Sequence, residues 1–143
     1  MTNSRRKHLS MVAALLMVTL FVISVGLAQA PSIPLKVNVP FPFYTGETLL
    51  PAGEYEVRAV TNDVMRIFGA APHTSVMFRT IGVNQMTQEH ANAKLVFKRY
   101  GEDYVLSEMW WTAETNGRQL LPSNIERDVA RNVTPIRVSV QAQ

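Results

Sequence analysis

The amino-acid sequence predicts an all-β fold, a small antiparallel β-sandwich or barrel of about seven or eight strands with one short helix near residues 123–131. Three observations support this prediction. Hydrophobic and polar side chains alternate with a period of two over most of the chain beyond residue 33, which is typical of half-buried strands. Turn residues interrupt the alternation at short intervals, and a helix-capping motif occurs near the C-terminal end.

The composition is that of one folded domain. The chain has 143 residues, of which 47% are hydrophobic and 17% charged, so it can form a core and does not resemble a disordered tail. Cysteine is absent, which excludes disulfide bonds and thiolate catalysis. Three of the 14 basic residues lie at positions 5–7, and the 11 that follow are balanced by 11 acidic residues. The net charge of +3 therefore reflects the N-terminus and does not indicate a nucleic-acid-binding surface.

The N-terminal residues have the three parts of a secretory signal peptide. A basic segment at residues 5–7 precedes an apolar run over residues 9–27 that contains no formal charge, and small residues follow it. We expect cleavage after Ala28, with Ala30 as the alternative. The second site is less suitable because Pro31 would follow the cut, and proline fits poorly into a peptidase that binds its substrate extended.

The predicted organisation is a signal peptide at residues 1–28 and a single exported β-domain at residues 29–143, located in the periplasm or outside the cell after cleavage. Two alternatives remain open. The apolar run of 19 residues is just long enough to anchor an uncleaved chain in the inner membrane. The segment Ser4-Arg5-Arg6 also resembles a twin-arginine export signal. Cleavage is favoured because the run ends in small residues without a cationic stop-transfer cluster.

The strands are predicted from alternation and from turn residues. Residues 36–43 place Val and Phe side chains on one face and Lys, Asn and Pro on the other. Because Pro40 and Pro42 cannot donate to a ladder, this strand is predicted to lie at a sheet edge over its second half. Further strands are predicted at residues 54–60, 64–68, 74–81, 94–100, 104–112 and 136–140, with short runs at residues 48–50 and 118–121. Asn116 and Gly117, which tolerate positive φ, are predicted as the turn before the second of these runs.

One helix is predicted over residues 124–131. Ser123 and Glu126 have the spacing of a capping box, in which the first residue caps the helix start. Ile125 and Val129 lie four residues apart, so the helix can place a narrow apolar stripe on a sheet.

The two aromatic-rich strands near the middle of the chain are predicted to form a hairpin around a three-residue loop, with Tyr100 opposite Tyr104. The further predicted pairs are Lys94 with Trp110, Leu95 with Met109, Val96 with Glu108, Phe97 with Ser107 and Lys98 with Leu106. This register collects aromatic rings and long cations on one face. The candidate interaction surface on that face consists of Lys94, Tyr100, Tyr104 and Trp110. The alternative is that the face packs under another layer, where its tryptophan would contribute to stability. A two-residue loop would reverse the faces of one strand.

Several sequence blocks carry a resemblance to known proteins. The blocks are Val39-Pro-Phe-Pro-Phe-Tyr-Thr-Gly46, Leu50-Pro-Ala-Gly-Glu-Tyr55, Lys94-Leu-Val-Phe-Lys-Arg-Tyr-Gly101, Tyr104-Val-Leu-Ser-Glu-Met-Trp110 and Gly117-Arg-Gln-Leu120. Together they cover most of residues 37–131, and they resemble a family of small exported proteins common in acidobacterial genomes. The resemblance implies export and an all-β domain, and it implies no particular activity, cofactor or partner.

Residue types that perform catalysis are few and scattered. His73 and His90 lie in predicted loops, 17 residues apart, without the spacing of metal ligands. Glu54 and Glu56 share a strand face with Arg58, as solvated surface residues do. The candidate serine nucleophiles lie outside any nucleophile elbow: Ser75, Ser107 and Ser123. We therefore expect a protein that is not an enzyme, with no catalytic site, no metal site and no cofactor.

These features predict an exported, non-catalytic binding or structural module of the cell envelope or the extracellular space. Its partner would be an envelope protein or an apolar ligand, and the membrane would be contacted only through an uncleaved leader. A second hypothesis is a small barrel that carries an apolar ligand, suggested by large apolar residues on both faces of residues 64–68 and 104–111. A third is a hydrolase in which Glu89 and His90 act within the loop at residues 82–92.

Overall fold

The computed structural model describes residues 33–71, 74–84, 92–112 and 116–143. All of them belong to one compact unit, Ser32–Gln143. The predicted signal peptide, both predicted loop histidines, His73 and His90, and the Glu89 of the hydrolase hypothesis lie outside the described residues.

Ten strands and one helix make up the described part of the chain. The strands are β1 (Leu35–Val39), β2 (Phe43–Thr45), β3 (Thr48–Leu50), β4 (Gly53–Ala59), β5 (Val64–Gly69), β6 (Ser75–Asn84), β7 (Lys94–Tyr100), β8 (Asp103–Trp110), β9 (Asn116–Leu120) and β10 (Ile136–Gln141). The helix, α1 (Asn124–Val129), lies between β9 and β10. The prediction of an all-β, sandwich-like fold with one short helix is confirmed, although the strands outnumber the seven or eight expected.

Two prolines divide the first predicted strand. Residues 36–43 are predicted as one strand, but β1 ends at Val39 and β2 begins at Phe43. Pro40 and Pro42 lie between these strands and have no backbone N–H to donate, so the ladder stops there. β1 pairs with β4 at one end of the strand order. The second half of the predicted strand does not lie at a sheet edge, so the edge prediction is wrong for β2. β2 pairs instead with β3 and, in parallel orientation, with β8.

The described strands form one mixed sheet in the order β1-β4-β5-β6-β9-β8-β2-β3, with β7 attached to β8 and β10 attached to β7. The long strand β6 joins the two halves of this sheet. Its residues 75–79 pair with β5, and its residues 80–84 pair with β9. The C-terminal residues return to β1 through an isolated bridge between Val37 and Ala142, and no ladder among the described strands closes the sheet.

The register of the β7–β8 hairpin differs from the prediction near its turn. The turn contains two residues, so Tyr100 stands opposite the first residue of β8 and Tyr104 stands opposite Arg99. The predicted pairing of Tyr100 with Tyr104 is therefore wrong, and Gly101, at a φ of 64°, supports the tighter turn. A β-bulge after Val96 shifts the ladder by one residue. Phe97 therefore pairs with Leu106 and Lys98 with Val105, so the predicted pairs Phe97 with Ser107 and Lys98 with Leu106 are wrong. Beyond the bulge three predicted pairs are confirmed: Val96 with Glu108, Leu95 with Met109 and Lys94 with Trp110.

Alternate strand residues form the hydrophobic core. The Phe43 ring meets the rings of Tyr55 and Phe97 edge-on, with ring centres 5.1 and 5.2 Å apart. Phe97 and Met109 are fully buried in the same cluster. A second buried set, outside this cluster, includes four residues of the hairpin: Val96, Tyr100, Val105 and Trp110. The hairpin is therefore covered on both faces over part of its length.

Helix α1 begins as predicted but buries a different residue. Ser123 is its N-cap, and the helix ends at Val129, two residues before the predicted end. The predicted stripe residues, Ile125 and Val129, are half-buried. The buried side chain of the helix is that of Glu126, which is 5% exposed.

Candidate binding site

Three of the four residues in the predicted interaction surface lie on one face of the β7–β8 hairpin. Tyr100 and Trp110 are only 5% and 2% exposed, and Lys94, which pairs with Trp110, is half-buried. The Trp110 indole N–H donates to Oε2 of Glu108 at 2.9 Å, and Arg137 of β10 donates to the same oxygen at 2.6 Å. Contacts within the chain thus occupy most of this face, and a role of these residues in binding stays a prediction.

Tyr104 lies on the opposite face of the hairpin. The one-residue shift near the turn directs its side chain toward the hydrophobic core. There its ring stacks on Phe41, with centres 3.8 Å apart and planes 17° apart, and the Arg99 guanidinium lies 5.5 Å from the centre of the tyrosine ring. The structure therefore separates Tyr104 from the other members of the predicted surface.

A buried carboxylate connects α1 to the hairpin. Ser123 Oγ accepts from the backbone N–H of Glu126 at 3.0 Å, as the capping motif predicts. The Glu126 side chain reaches the hairpin, where its Oε1 accepts from Lys98 Nζ at 2.8 Å and from the Tyr100 hydroxyl at 3.1 Å. Burial, together with the charge of the Glu126 carboxylate, raises the pKa of Tyr100 to about 12. Helix α1 therefore covers part of the predicted interaction surface. This agrees with the alternative prediction, in which that face of the hairpin packs under another layer.

The Glu54–Glu56 face of β4 borders a cavity of about 260 Å³ but is not arranged for acid catalysis. Arg58 donates to Oε1 of Glu56, and this hydrogen bond lowers the pKa of the Glu56 carboxyl. A general acid at neutral pH needs the opposite shift. Across residues 33–71, 74–84, 92–112 and 116–143, no group of three His, Asp or Glu side chains could hold a metal ion.

A larger cavity, of about 460 Å³, lies where the ends of β6, β8 and β9 meet. We call it the mouth pocket, and its lining residues are Gly82, Asn84, Trp111, Asn116, Gly117 and Arg118. The strand registers explain its position. Arg118 of β9 pairs with Met109 on one side and with Gly82 on the other, and antiparallel partners share a face of the sheet. Met109 is fully buried in the core, so Arg118 lies on the same face of the sheet as the core. The mouth pocket therefore lies on this face, at the end of the strands where the core opens to solvent.

Trp111 forms one wall of the mouth pocket. It follows the last residue of β8, is half-buried and packs against the hydrophobic core. Its indole N–H donates to the carbonyl oxygen of Ile33 at 2.9 Å. Since this bond holds the ring and uses its hydrogen-bond donor, the indole offers the pocket its carbon surface.

Arg118 brings a positive charge into the mouth pocket. It lies two residues before the buried Leu120 of the same strand, so its half-buried side chain extends on the core side. A Cβ built on Gly82 would lie 3.9 Å from Arg118 Nη1, which places the guanidinium over that glycine. Within the described part of the chain, Arg118 donates to no acceptor and pairs with no carboxylate. Its N–H donors are therefore available to a ligand.

Two amide side chains complete the lining. Asn84 and Asn116 are direct partners in the β6–β9 ladder, and both are exposed. Partners in an antiparallel ladder have Cβ atoms about 5 Å apart, so the two amides present donors and acceptors side by side. The volume of the pocket falls within the range of roughly 300–1,000 Å³ that is usual for small-molecule sites. Together these side chains can stack on a small polar molecule, hydrogen-bond to it and neutralise a negative charge that it carries.

The mouth pocket is not among the sites that the sequence predicts. Asn116 and Gly117 are predicted as a turn, but both belong to β9 and pair with β6, which continues three residues beyond its predicted end. The prediction of a turn at these residues is therefore wrong. The sequence did contain one indication of the pocket. Arg118 lies two residues before Leu120, so in a strand both side chains lie on the same face, and a long cation is placed on the apolar face.

No protein-family model, no curated protein and no solved structure matches the chain. The resemblance to small exported acidobacterial proteins accordingly stays an expectation drawn from sequence motifs. None of the residues that the structure describes belongs to a helix with the length and hydropathy of a membrane span.

Proposed function

We propose that this chain is an exported, non-catalytic binding module of the cell envelope or the extracellular space, which takes a small polar ligand in the mouth pocket. The observation that carries the proposal is the Arg118 guanidinium, which lines the mouth pocket together with Trp111 and has no partner among the described residues. A half-buried charge has lost part of its hydration, so a ligand that accepts its hydrogen bonds is favoured.

The chemistry of the lining supports binding rather than catalysis. The described side chains around the pocket are an indole, a guanidinium and two amides. They can orient a ligand but do not supply a general acid or base. They also favour a polar ligand over an apolar one, because an apolar molecule would strip water from Arg118 and both amides without replacing it.

The proposal of export rests on the N-terminal sequence. A basic segment, an uncharged apolar run and small residues follow one another within the first 30 residues. A binding module in the envelope or outside the cell would meet small polar molecules and the exposed units of surface polymers.

A substitution that fills the mouth pocket tests the proposed function. The exported protein is titrated with a panel of neutral sugars, acidic sugars, amino acids, dicarboxylates and a fatty acid, with binding followed by tryptophan fluorescence and calorimetry. We expect a polar member of the panel to bind, and we expect Gly82→Val to weaken that binding at least about tenfold by occupying the space under the ligand.

The matched control is Ile81→Val, which places valine at the adjacent position on the opposite, exposed face of β6. It should bind the ligand as the unmodified protein does. Three results would overturn the proposal: no polar member binds, only the fatty acid binds, or Gly82→Val and Ile81→Val behave alike.

A further inference from the structure

The wall and the charge of the mouth pocket restrict what can bind there. Trp111 offers a flat carbon surface, because its N–H is bonded to Ile33, and an aromatic face attracts C–H groups that carry partial positive charge. Arg118 offers a planar set of donors that matches a carboxylate and can bind it through two parallel hydrogen bonds. A fitting ligand therefore has a flat face with C–H groups and a carboxylate near one end of that face.

The amides restrict the ligand further. Asn84 and Asn116 lie side by side at the rim and can each donate and accept, so they suit a ligand with several hydroxyl groups along its edge. An aromatic acid could stack on Trp111 and pair with Arg118, but it would leave these amides without partners. An amino acid would bring an ammonium group close to Arg118, and no carboxylate among the described lining residues could balance it.

From these groups we infer that the mouth pocket binds a carboxylated sugar ring, a uronic-acid unit that is either free or the end of an acidic polysaccharide. The inference rests on the function proposed above and adds the chemical class of the ligand. The C–H face of the ring stacks on Trp111, its carboxylate pairs with Arg118, and its hydroxyl groups bond to Asn84 and Asn116. Gly82 keeps the strand beneath the guanidinium free of a side chain, which gives the ring its space.

The test compares probes that differ by one feature. Calorimetric titrations of the exported protein use glucuronate and a galacturonate trimer, with glucose lacking the carboxylate, benzoate lacking the hydroxyl groups and acetate lacking the ring. We expect glucuronate to bind at least about tenfold more tightly than glucose, as the loss of a charge-assisted hydrogen-bond pair predicts. If the trimer binds more tightly than glucuronate, the source is a polymer end, and equal affinity indicates the free sugar acid.

Variants of the protein test whether Arg118 binds the carboxylate of glucuronate. Arg118→Gln should reduce glucuronate affinity to that of glucose and leave glucose affinity nearly unchanged, whereas Asn116→Ala should weaken both sugars. Arg131→Gln removes an exposed arginine outside the pocket and should change neither. The thermal midpoint of each variant shows whether it is folded, and salt should weaken glucuronate binding more than glucose binding.

The outcomes separate this inference from the proposed function. Three results would each overturn the inference that the ligand is an acidic sugar. They are equal affinities for glucuronate and glucose, tighter binding of benzoate than of glucuronate, and a preference for glucuronate that persists in Arg118→Gln. In those cases a different polar ligand that Gly82→Val displaces would still support a binding module. If Gly82→Val displaces no ligand, the proposed function fails and the inference fails with it.

Discussion

Two glycines on the paired strands β6 and β9 meet very different surroundings. A Cβ at Gly117 would lie 2.7 Å from Cδ2 and Cε3 of Trp110, so the indole is seated directly on the backbone there. A Cβ at Gly82 would find its nearest atom, Arg118 Nη1, at 3.9 Å, which is ordinary contact. Neither glycine is among those with positive φ. Gly117 is therefore required by the ring packed on it, whereas Gly82 leaves open space in the mouth pocket.

Alanine should accordingly destabilise the protein at Gly117 but not at Gly82. We expect Gly117→Ala to lower the free energy of unfolding by about 1–3 kcal/mol, because the Trp110 ring must move. Gly82→Ala should leave it unchanged or raise it by up to about 1 kcal/mol, since alanine has the lower backbone entropy in the unfolded chain. Urea denaturation of both variants measures the difference. Equal effects of the two substitutions would contradict the packing of the Trp110 ring against the backbone of Gly117.

At the scale of elements, α1 depends on tertiary contacts. A helix of six residues is too short to form alone in water, so its stability comes from what it touches. Its buried contact is the carboxylate of Glu126, which lies between Lys98 and the Tyr100 hydroxyl of β7. A buried carboxylate of this kind is tolerated because both partners hydrogen-bond to it. Losing the hydroxyl proton of Tyr100 would place a second negative charge beside it.

The stability of the domain should therefore fall between pH 10 and pH 12. An unfolded tyrosine has a pKa of about 10, whereas burial and the Glu126 carboxylate raise the pKa of Tyr100 to about 12. The native state keeps this proton more strongly, so its contribution is complete below pH 10 and is lost as pH rises to about 12. Denaturant unfolding across this range should show a steeper decline for the unmodified protein than for Tyr100→Phe. Tyr104→Phe should retain the full decline, and identical curves for Tyr100→Phe and the unmodified protein would refute the argument.

At the scale of the whole domain, local patterns located the strands, and distant contacts decided their details. The apolar pattern and the flanking turn residues predicted β4 and β7 almost to the residue, and β4 buries the alternate residues Tyr55 and Val57 as a half-buried strand does. The β-bulge in the hairpin, the extension of β6 along β9 and the buried Glu126 depend on partners remote in sequence. The mouth pocket was missed for the same reason, since β6, β8 and β9 supply its lining and local alternation alone does not reveal their registers.

The chain as a whole should lose its leader peptide on export. The first described strand begins at Leu35, so a cut after Ala28 leaves residues 29–34 ahead of the sheet and does not touch a ladder. When the full chain is produced in a Gram-negative host, we expect the periplasmic fraction to contain a protein that begins at Gln29, identified by N-terminal sequencing and intact mass.

Substitution at the cleavage site sharpens this prediction. A signal peptidase needs small residues at the first and third positions before its cut, and Ala28 occupies one of these positions for both candidate sites. Ala28→Leu should therefore abolish the species that begins at Gln29, impair cleavage after Ala30 as well and leave the precursor in the membrane. Gln29→Glu, which keeps both small residues, should be cleaved as before. An unmodified chain recovered at full length from the inner membrane would instead assign residues 9–27 as an anchor. Loss of export on replacing Arg5 and Arg6 by lysine would identify the twin-arginine route, because that pathway requires the arginine pair whereas the general route requires only positive charge.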